Sequence, residues 1–149
     1  SINAKDLYGN TALLVASRGG RPTDRLNYYQ IVKMLLEQKD GDGCLVRINE
    51  KNKLGSTALM WACEYGHRDL AELLLDHGAS IDEKDKYGNT ALLGSSMNYF
   101  TDVVELLLKA GADPQKGAAW GPFGVFGTES PLRAAQKNGH EAAVKALRG

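Results

Sequence analysis

The stretch that decides the fold is GSTALMWACEYGHRDLAELLLDHGA, residues 55–79. A close copy, GNTALLGSSMNYFTDVVELLLKAGA, occupies residues 88–112, a step of 33 residues along the chain. Looser copies begin near residues 9 and 128. Self-similarity at such a period is typical of a solenoid, in which each repeat is one structural unit that stacks on its neighbours. The chain is therefore predicted to be a stack of four similar units.

Each unit is predicted to contain two helices. A hydroxyl residue precedes the first apolar run, where it can accept a hydrogen bond from a free backbone N–H group at the start of a helix. These residues are Thr11, Thr57, Thr90 and Ser130. In the second run, Leu70, Leu73 and Leu74 have the spacing i, i+3, i+4 and form one apolar stripe. Gly78 and Gly111 follow the second runs, as expected of left-handed C-terminal caps.

The order of these motifs resembles the ankyrin repeat: Thr-x-Leu-x-x-Ala, then Gly-His, then Leu-Leu-x-x-Gly-Ala. The resemblance implies an all-α ankyrin-repeat solenoid of stacked antiparallel helix pairs joined by β-hairpin-like loops. It covers residues 1–149 as a single domain, with repeats at approximately 5–50, 51–83, 84–116 and 117–149. In the third repeat Tyr99-Phe100 replaces the Gly66-His67 of the second, so we expect the turn between its helices to be built differently.

Two insertions distinguish this chain from a regular array. The first repeat is 13 residues longer than the period, and aligning Gly20 with Gly66 places seven of these between its helices. They are also expected to lengthen the start of the second helix, while the other six lie around residues 39–46. Seven further residues enlarge the loop before the fourth repeat, which contains WGPFGVFG at 120–127. Insertions in solenoids map to loops, often on a binding face.

The composition argues against several classes of partner. The 149 residues include 18 basic and 18 acidic side chains, so the formal charge is zero. Nucleic acids and anionic membranes attract a basic excess, and neither is expected as a partner. No apolar run approaches the roughly 18 residues that a membrane span needs. Cys44 and Cys63 form no disulfide framework and fit a reducing compartment, so we expect an intracellular, cytoplasmic and monomeric protein.

Two short motifs are predicted to have no chemical role. Asp40-Gly-Asp-Gly43 begins like an EF-hand calcium loop, but Cys44 stands where the third ligand belongs and Lys51 stands at the twelfth position. The segment is therefore interpreted as a solvated turn. The phosphate-binding pattern G-x-x-x-x-G-K-[ST] does not occur.

The histidines and the remaining cysteine are also predicted to be structural. His67, His77 and His140 lie at helix ends and lack the spacing of zinc ligands. Cys63 occupies a position where the ankyrin family usually has alanine, so it is interpreted as a small core residue. The sequence thus predicts no enzyme activity, no metal and no cofactor.

The resemblance to ankyrin repeats implies a concave groove that binds another protein. In that family the groove is lined by the loop tips and by the exposed edge of the first helices. Carried onto this chain, the tip positions are Tyr8, Lys53, Leu54, Lys86 and Tyr87. The helix positions are Arg18, Glu64, Tyr65, Met97 and Asn98. Exposed Tyr and Arg beside Leu and Met are typical of binding hot spots, so the predicted function is a protein–protein interaction adaptor.

Three alternatives stay open at this point. Trp61 either fills the space beside Gly94 between repeats or contacts a ligand. Trp120, Phe123 and Phe126 either fold back over the last repeat or offer a second patch to the partner. Because both chain ends look cut from something longer, the alternative function is a regulatory or docking domain that acts on another domain of a longer parent protein.

Overall fold

The computed structural model describes residues 1–20, 25–38, 45–116 and 130–149, with only the backbone at 25 and 26. These ranges contain eight helices and no strand element. The helices are α1 (Ala12–Arg18), α2 (Arg25–Glu37), α3 (Ala58–Glu64), α4 (Arg68–Asp76), α5 (Ala91–Met97), α6 (Thr101–Lys109), α7 (Pro131–Lys137) and α8 (Glu141–Arg148). Each odd-numbered helix pairs with the even-numbered helix that follows it and packs against the odd-numbered helices of adjacent pairs. The predicted all-α solenoid of stacked helix pairs is confirmed.

Side-chain caps begin the first helix of every pair, as predicted. The hydroxyl oxygens of Thr11, Thr57, Thr90 and Ser130 accept hydrogen bonds of 3.2–3.4 Å from the backbone three residues further on. Gly78 and Gly111 follow α4 and α6 with φ of +89° and +94°, which confirms the left-handed caps.

One continuous apolar core runs through all four pairs. Leu74 in α4 and Leu107 in α6 occupy equivalent positions, and both are completely buried. Leu35 in α2 occupies the same position but is only partly buried, because in the described stack the first pair is covered on one side only. Burial of the apolar stripe therefore depends on stacking rather than on the helix pair itself.

The turn between α5 and α6 repeats the backbone of the turn between α3 and α4, so the expectation of a different turn is wrong. Tyr99 has a φ of +65°, close to the +72° of Gly66. The N–H of Phe100 donates to the carbonyl of Ser95 just as the N–H of His67 donates to that of Ala62. A left-handed L-residue costs roughly 1–2 kcal/mol.

Contacts with the fourth pair hold Tyr99 in that conformation. Its ring lies against the imidazole of His140, and its hydroxyl donates a hydrogen bond of 3.1 Å to the carbonyl of Asn138. These contacts offset the strain of the left-handed backbone.

The first pair departs from the sequence alignment by one residue. Gly19, not Gly20, follows α1 with the positive φ, +69°, that corresponds to Gly66. The predicted lengthening of the second helix is confirmed, since α2 begins six residues before Ile31 whereas α4 begins two residues before the equivalent Leu70.

A row of side-chain hydrogen bonds ties each loop to the next. The Oδ1 atoms of Asn3 and Asn49 accept from the backbone N–H of Arg47 and Ser80 at 2.7 and 2.8 Å. Asp82 accepts in the same way from the backbone of residue 113 at 3.1 Å. Each of these bonds crosses one junction between adjacent repeats.

Candidate functional site

Three hairpin-like loops form one wall of a cleft; we call residues 5–10, 51–56 and 84–89 fingers 1, 2 and 3. Each finger closes on itself through a backbone hydrogen bond of 3.0–3.1 Å between its second and sixth residues. In finger 3 the carboxylate of Asp85 also accepts from the backbone of Tyr87 and from both the backbone and side-chain N–H groups of Asn89. The fingers are therefore rigid local turns.

The fingers stack directly on one another. The N–H of Lys53 donates to the carbonyl of Tyr8, and the N–H of Lys86 donates to that of Leu54, both at 2.9 Å. Gly55 permits this approach, since a Cβ at that position would lie 2.9 Å from the Lys86 nitrogen. Its φ of +81° also favours glycine. The finger wall therefore depends on this glycine.

The fingers and the first helices enclose a cleft of about 480 Å³. The cleft brings together seven of the predicted site residues: Arg18, Leu54, Glu64, Tyr65, Tyr87, Met97 and Asn98. The other lining residues are Ser56, Met60, Trp61, Asp85, Asn89, Thr90 and Gly94. Tyr8, Lys53 and Lys86 are exposed on the fingers but do not line the cleft. The predicted Trp120, Phe123 and Phe126 lie outside the described residues, as do Cys44 and the Asp40-Gly-Asp-Gly43 segment.

Four large apolar side chains of the cleft are half exposed. Leu54, Tyr65, Tyr87 and Met97 have exposed fractions of 43–52%. Trp61 is partly buried, packs against the core and lines the cleft as well. Both of the roles considered for Trp61 therefore agree with its position.

Arg18 links the first two repeats at one end of the cleft. Its Nε donates a hydrogen bond of 3.2 Å to the hydroxyl of Tyr65, and its guanidinium lies 5.5 Å from the centre of that ring. Such a cation–π contact adds an estimated ~0.5–1 kcal/mol at an exposed site. Tyr65 thus presents an edge that is already positioned for contact.

Glu64 is the carboxylate of the cleft whose needs are not met internally. Asp85 accepts three hydrogen bonds within its own finger. Glu64 is exposed and makes neither an ion pair nor a hydrogen bond with any residue that the structure describes. The cleft therefore carries one negative charge without a fixed partner.

The histidines join backbone segments. The Nε2 of His67 and the Nδ1 of His140 lie 3.0 and 2.7 Å from the carbonyl oxygens of Arg18 and Ser96, respectively, each in the preceding repeat. Since a carbonyl can only accept, these ring nitrogens donate. His77 contacts the Leu73 carbonyl at the end of α4 at 2.9 Å. Among the described residues, no group of three or more His, Cys, Asp or Glu side chains could hold a metal ion.

Cys63 is part of the core, in agreement with its interpretation as a small core residue. It is completely buried in α3. Burial raises the pKa of the Cys63 thiol well above its usual range, because the thiolate would lose its hydration. The thiol is therefore neither accessible nor ionised as a nucleophile would need to be.

We expect Cys63 to resist alkylation while the protein is folded. In a Cys44→Ser variant, where Cys63 is the remaining thiol, the reaction with Ellman's reagent should be on the order of 1,000-fold slower than in 6 M guanidinium, since reaction requires opening of the core. Rapid modification under native conditions would contradict this expectation.

Comparison with known proteins gives one family match. The sequence model described as "Ankyrin repeats (3 copies)" matches residues 25–118, more than half of the chain. A comparison with curated proteins found no match. In the part of the chain that the structure describes, no helix is both long and apolar enough to cross a membrane.

Gly94 was the lining residue least visible as such in the sequence. It was noted only as leaving room for Trp61, because the absence of a side chain becomes informative when its neighbours are known. Its position next to Glu64 gives it a place in the cleft.

Proposed function

Since the chain belongs to the ankyrin-repeat family, whose repeats generally act as non-catalytic protein–protein interaction modules, we propose that it is a scaffold that holds a partner protein in the cleft. The observation that carries this proposal is the convergence of half-exposed Leu54, Tyr65, Tyr87 and Met97 on one concave surface. Aromatic side chains lose little conformational freedom when a partner covers them, so they contribute strongly to affinity.

The magnitudes favour the cleft over the other exposed apolar side chains. Complete burial of a large apolar side chain contributes about 1.5–3 kcal/mol, and roughly half of that remains available to a partner at each half-exposed position. Four such positions on one surface can together support specific binding, whereas isolated exposed side chains are common on any protein.

The test is a double substitution, Tyr65→Ala with Tyr87→Ala. We expect a partner affinity reduced by a few kcal/mol, on the order of 100-fold, because both rings would be buried at the interface. The free energy of unfolding should change by less than about 1 kcal/mol, since both rings are exposed in the free protein. The measurement is an affinity pull-down from the source cell, read by mass spectrometry, followed by titration of the recovered partner.

The matched control is Ile31→Ala with Met34→Ala, which removes two exposed apolar side chains of α2 that do not line the cleft. A partner lost with the tyrosine variant and retained with the α2 variant supports the proposal. Equal recovery with wild type and the tyrosine variant, with both folded, would sink it.

A further inference from the structure

The charge of Glu64 limits what can occupy the cleft. A partner that covers the cleft removes water from this carboxylate, and burial of an unpaired charge costs several kcal/mol. Arg18 is already directed at Tyr65, and the oxygens of Asp85 are held within finger 3. Lys53 and Lys86 lie on the fingers outside the cleft lining. The occupant must therefore bring the cation itself.

Gly94 provides the space for that cation. It occupies in α5 the position that Trp61 occupies in α3, four residues after the capping threonine. A Cβ at position 94 would meet only Glu64, at 3.9 Å from its Cβ atom, so the space beside Trp61 and Glu64 is open. The φ of Gly94 is not left-handed, so the backbone does not require glycine there. Open space, rather than backbone geometry, is what this glycine supplies.

From this arrangement we infer that the cleft binds a partner segment through an arginine side chain, whose guanidinium enters the space above Gly94 and pairs with Glu64 beside the indole of Trp61. The inference rests on the proposed function of the cleft. Arginine fits better than lysine because its planar, weakly hydrated guanidinium stacks on aromatic rings and bonds a carboxylate in two places. The contact of Arg18 with Tyr65 is an example of the same stacking in this cleft.

The test uses a phage-displayed library of random 12-residue peptides, selected on the complete 149-residue chain. The recovered peptides are then titrated against wild type, Glu64→Gln and Gly94→Leu. We expect an arginine at one fixed position of the recovered peptides. Replacing it with glutamine should weaken binding to wild type by about tenfold or more, but have little effect on binding to Glu64→Gln, because the coupled charge is absent there.

Gly94→Leu should abolish binding by filling the space. Gly94→Ala is its matched control, since its added Cβ meets Glu64 at an ordinary contact distance and the helix is retained. Circular dichroism spectra equal to wild type would establish that both variants fold.

The other outcomes separate the two proposals. Peptides that Gly94→Leu blocks, but that lack a basic residue or lose equal affinity in both backgrounds, would overturn the arginine inference and leave the cleft as the binding site. Peptides that bind Gly94→Leu as well as wild type would count against the cleft itself. Failure to recover any peptide would count against both.

Discussion

Replacement of Gly55 with alanine is expected to lower the free energy of unfolding by about 3 kcal/mol. The left-handed backbone at this position costs an alanine roughly 1–2 kcal/mol. The added Cβ would also lie 2.9 Å from the nitrogen of Lys86 and 3.1 Å from the Cα of Asp85, and backbone atoms cannot rotate away as a side chain can. Finger 3 must therefore shift, which weakens the hydrogen bond from Lys86 to Leu54. Urea denaturation followed by circular dichroism measures the loss.

Gly78→Ala is the matched control for this prediction. Gly78 has a similar φ of +89°, but a Cβ there would meet nothing within 4 Å. Its replacement should cost only the backbone strain, about 1 kcal/mol. The difference between the two variants measures the close approach of the fingers. Equal losses would mean that the fingers have room to move apart.

Leu74→Ala is expected to lower the free energy of unfolding by about 3 kcal/mol, within the range of about 2–5 kcal/mol for a fully buried leucine. Leu74 is completely buried in the second pair, where it belongs to the core shared by consecutive repeats. Because repeats are coupled only to their neighbours, a cavity here weakens the link between the two halves of the stack. Urea unfolding should therefore become less steep as well as shift to lower concentration.

The equivalent substitution Leu35→Ala provides the comparison. Leu35 is only partly buried in the first pair, so its truncation should cost about half as much. It should also leave the steepness of the transition nearly unchanged, since the first repeat is at the end of the described stack. A loss at Leu35 as large as that at Leu74 would contradict the dependence of burial on stacking.

The local features of the fold could be predicted because short-range chemistry determines them. Thr57 precedes an apolar run and caps a helix wherever that run is helical, and Gly78 ends one where a left-handed residue is needed. The 33-residue period then requires stacking. The predicted repeat boundaries and monomeric state remain predictions.

Features that depend on contacts between repeats could not be predicted so well. The expectation at Tyr99 was wrong because sequence rules assign left-handed backbone to glycine, whereas contacts with His140 and Asn138 in the next repeat hold a tyrosine there. Most of the predicted groove residues line the cleft, since the family pattern fixes their place. The unpaired state of Glu64 depends on where Arg18 points, which no periodicity encodes.

The bonds from Asn3, Asn49 and Asp82 each cross a single junction, and this arrangement has a mechanical consequence. Tension applied between the two ends of the chain passes through the junctions in series, so no bond shares its load with a distant one. Small forces are absorbed by slight changes in the angle between neighbouring repeats, as in a coil spring. A larger force detaches an outermost repeat first, and each detached 33-residue repeat releases roughly 110 Å of chain.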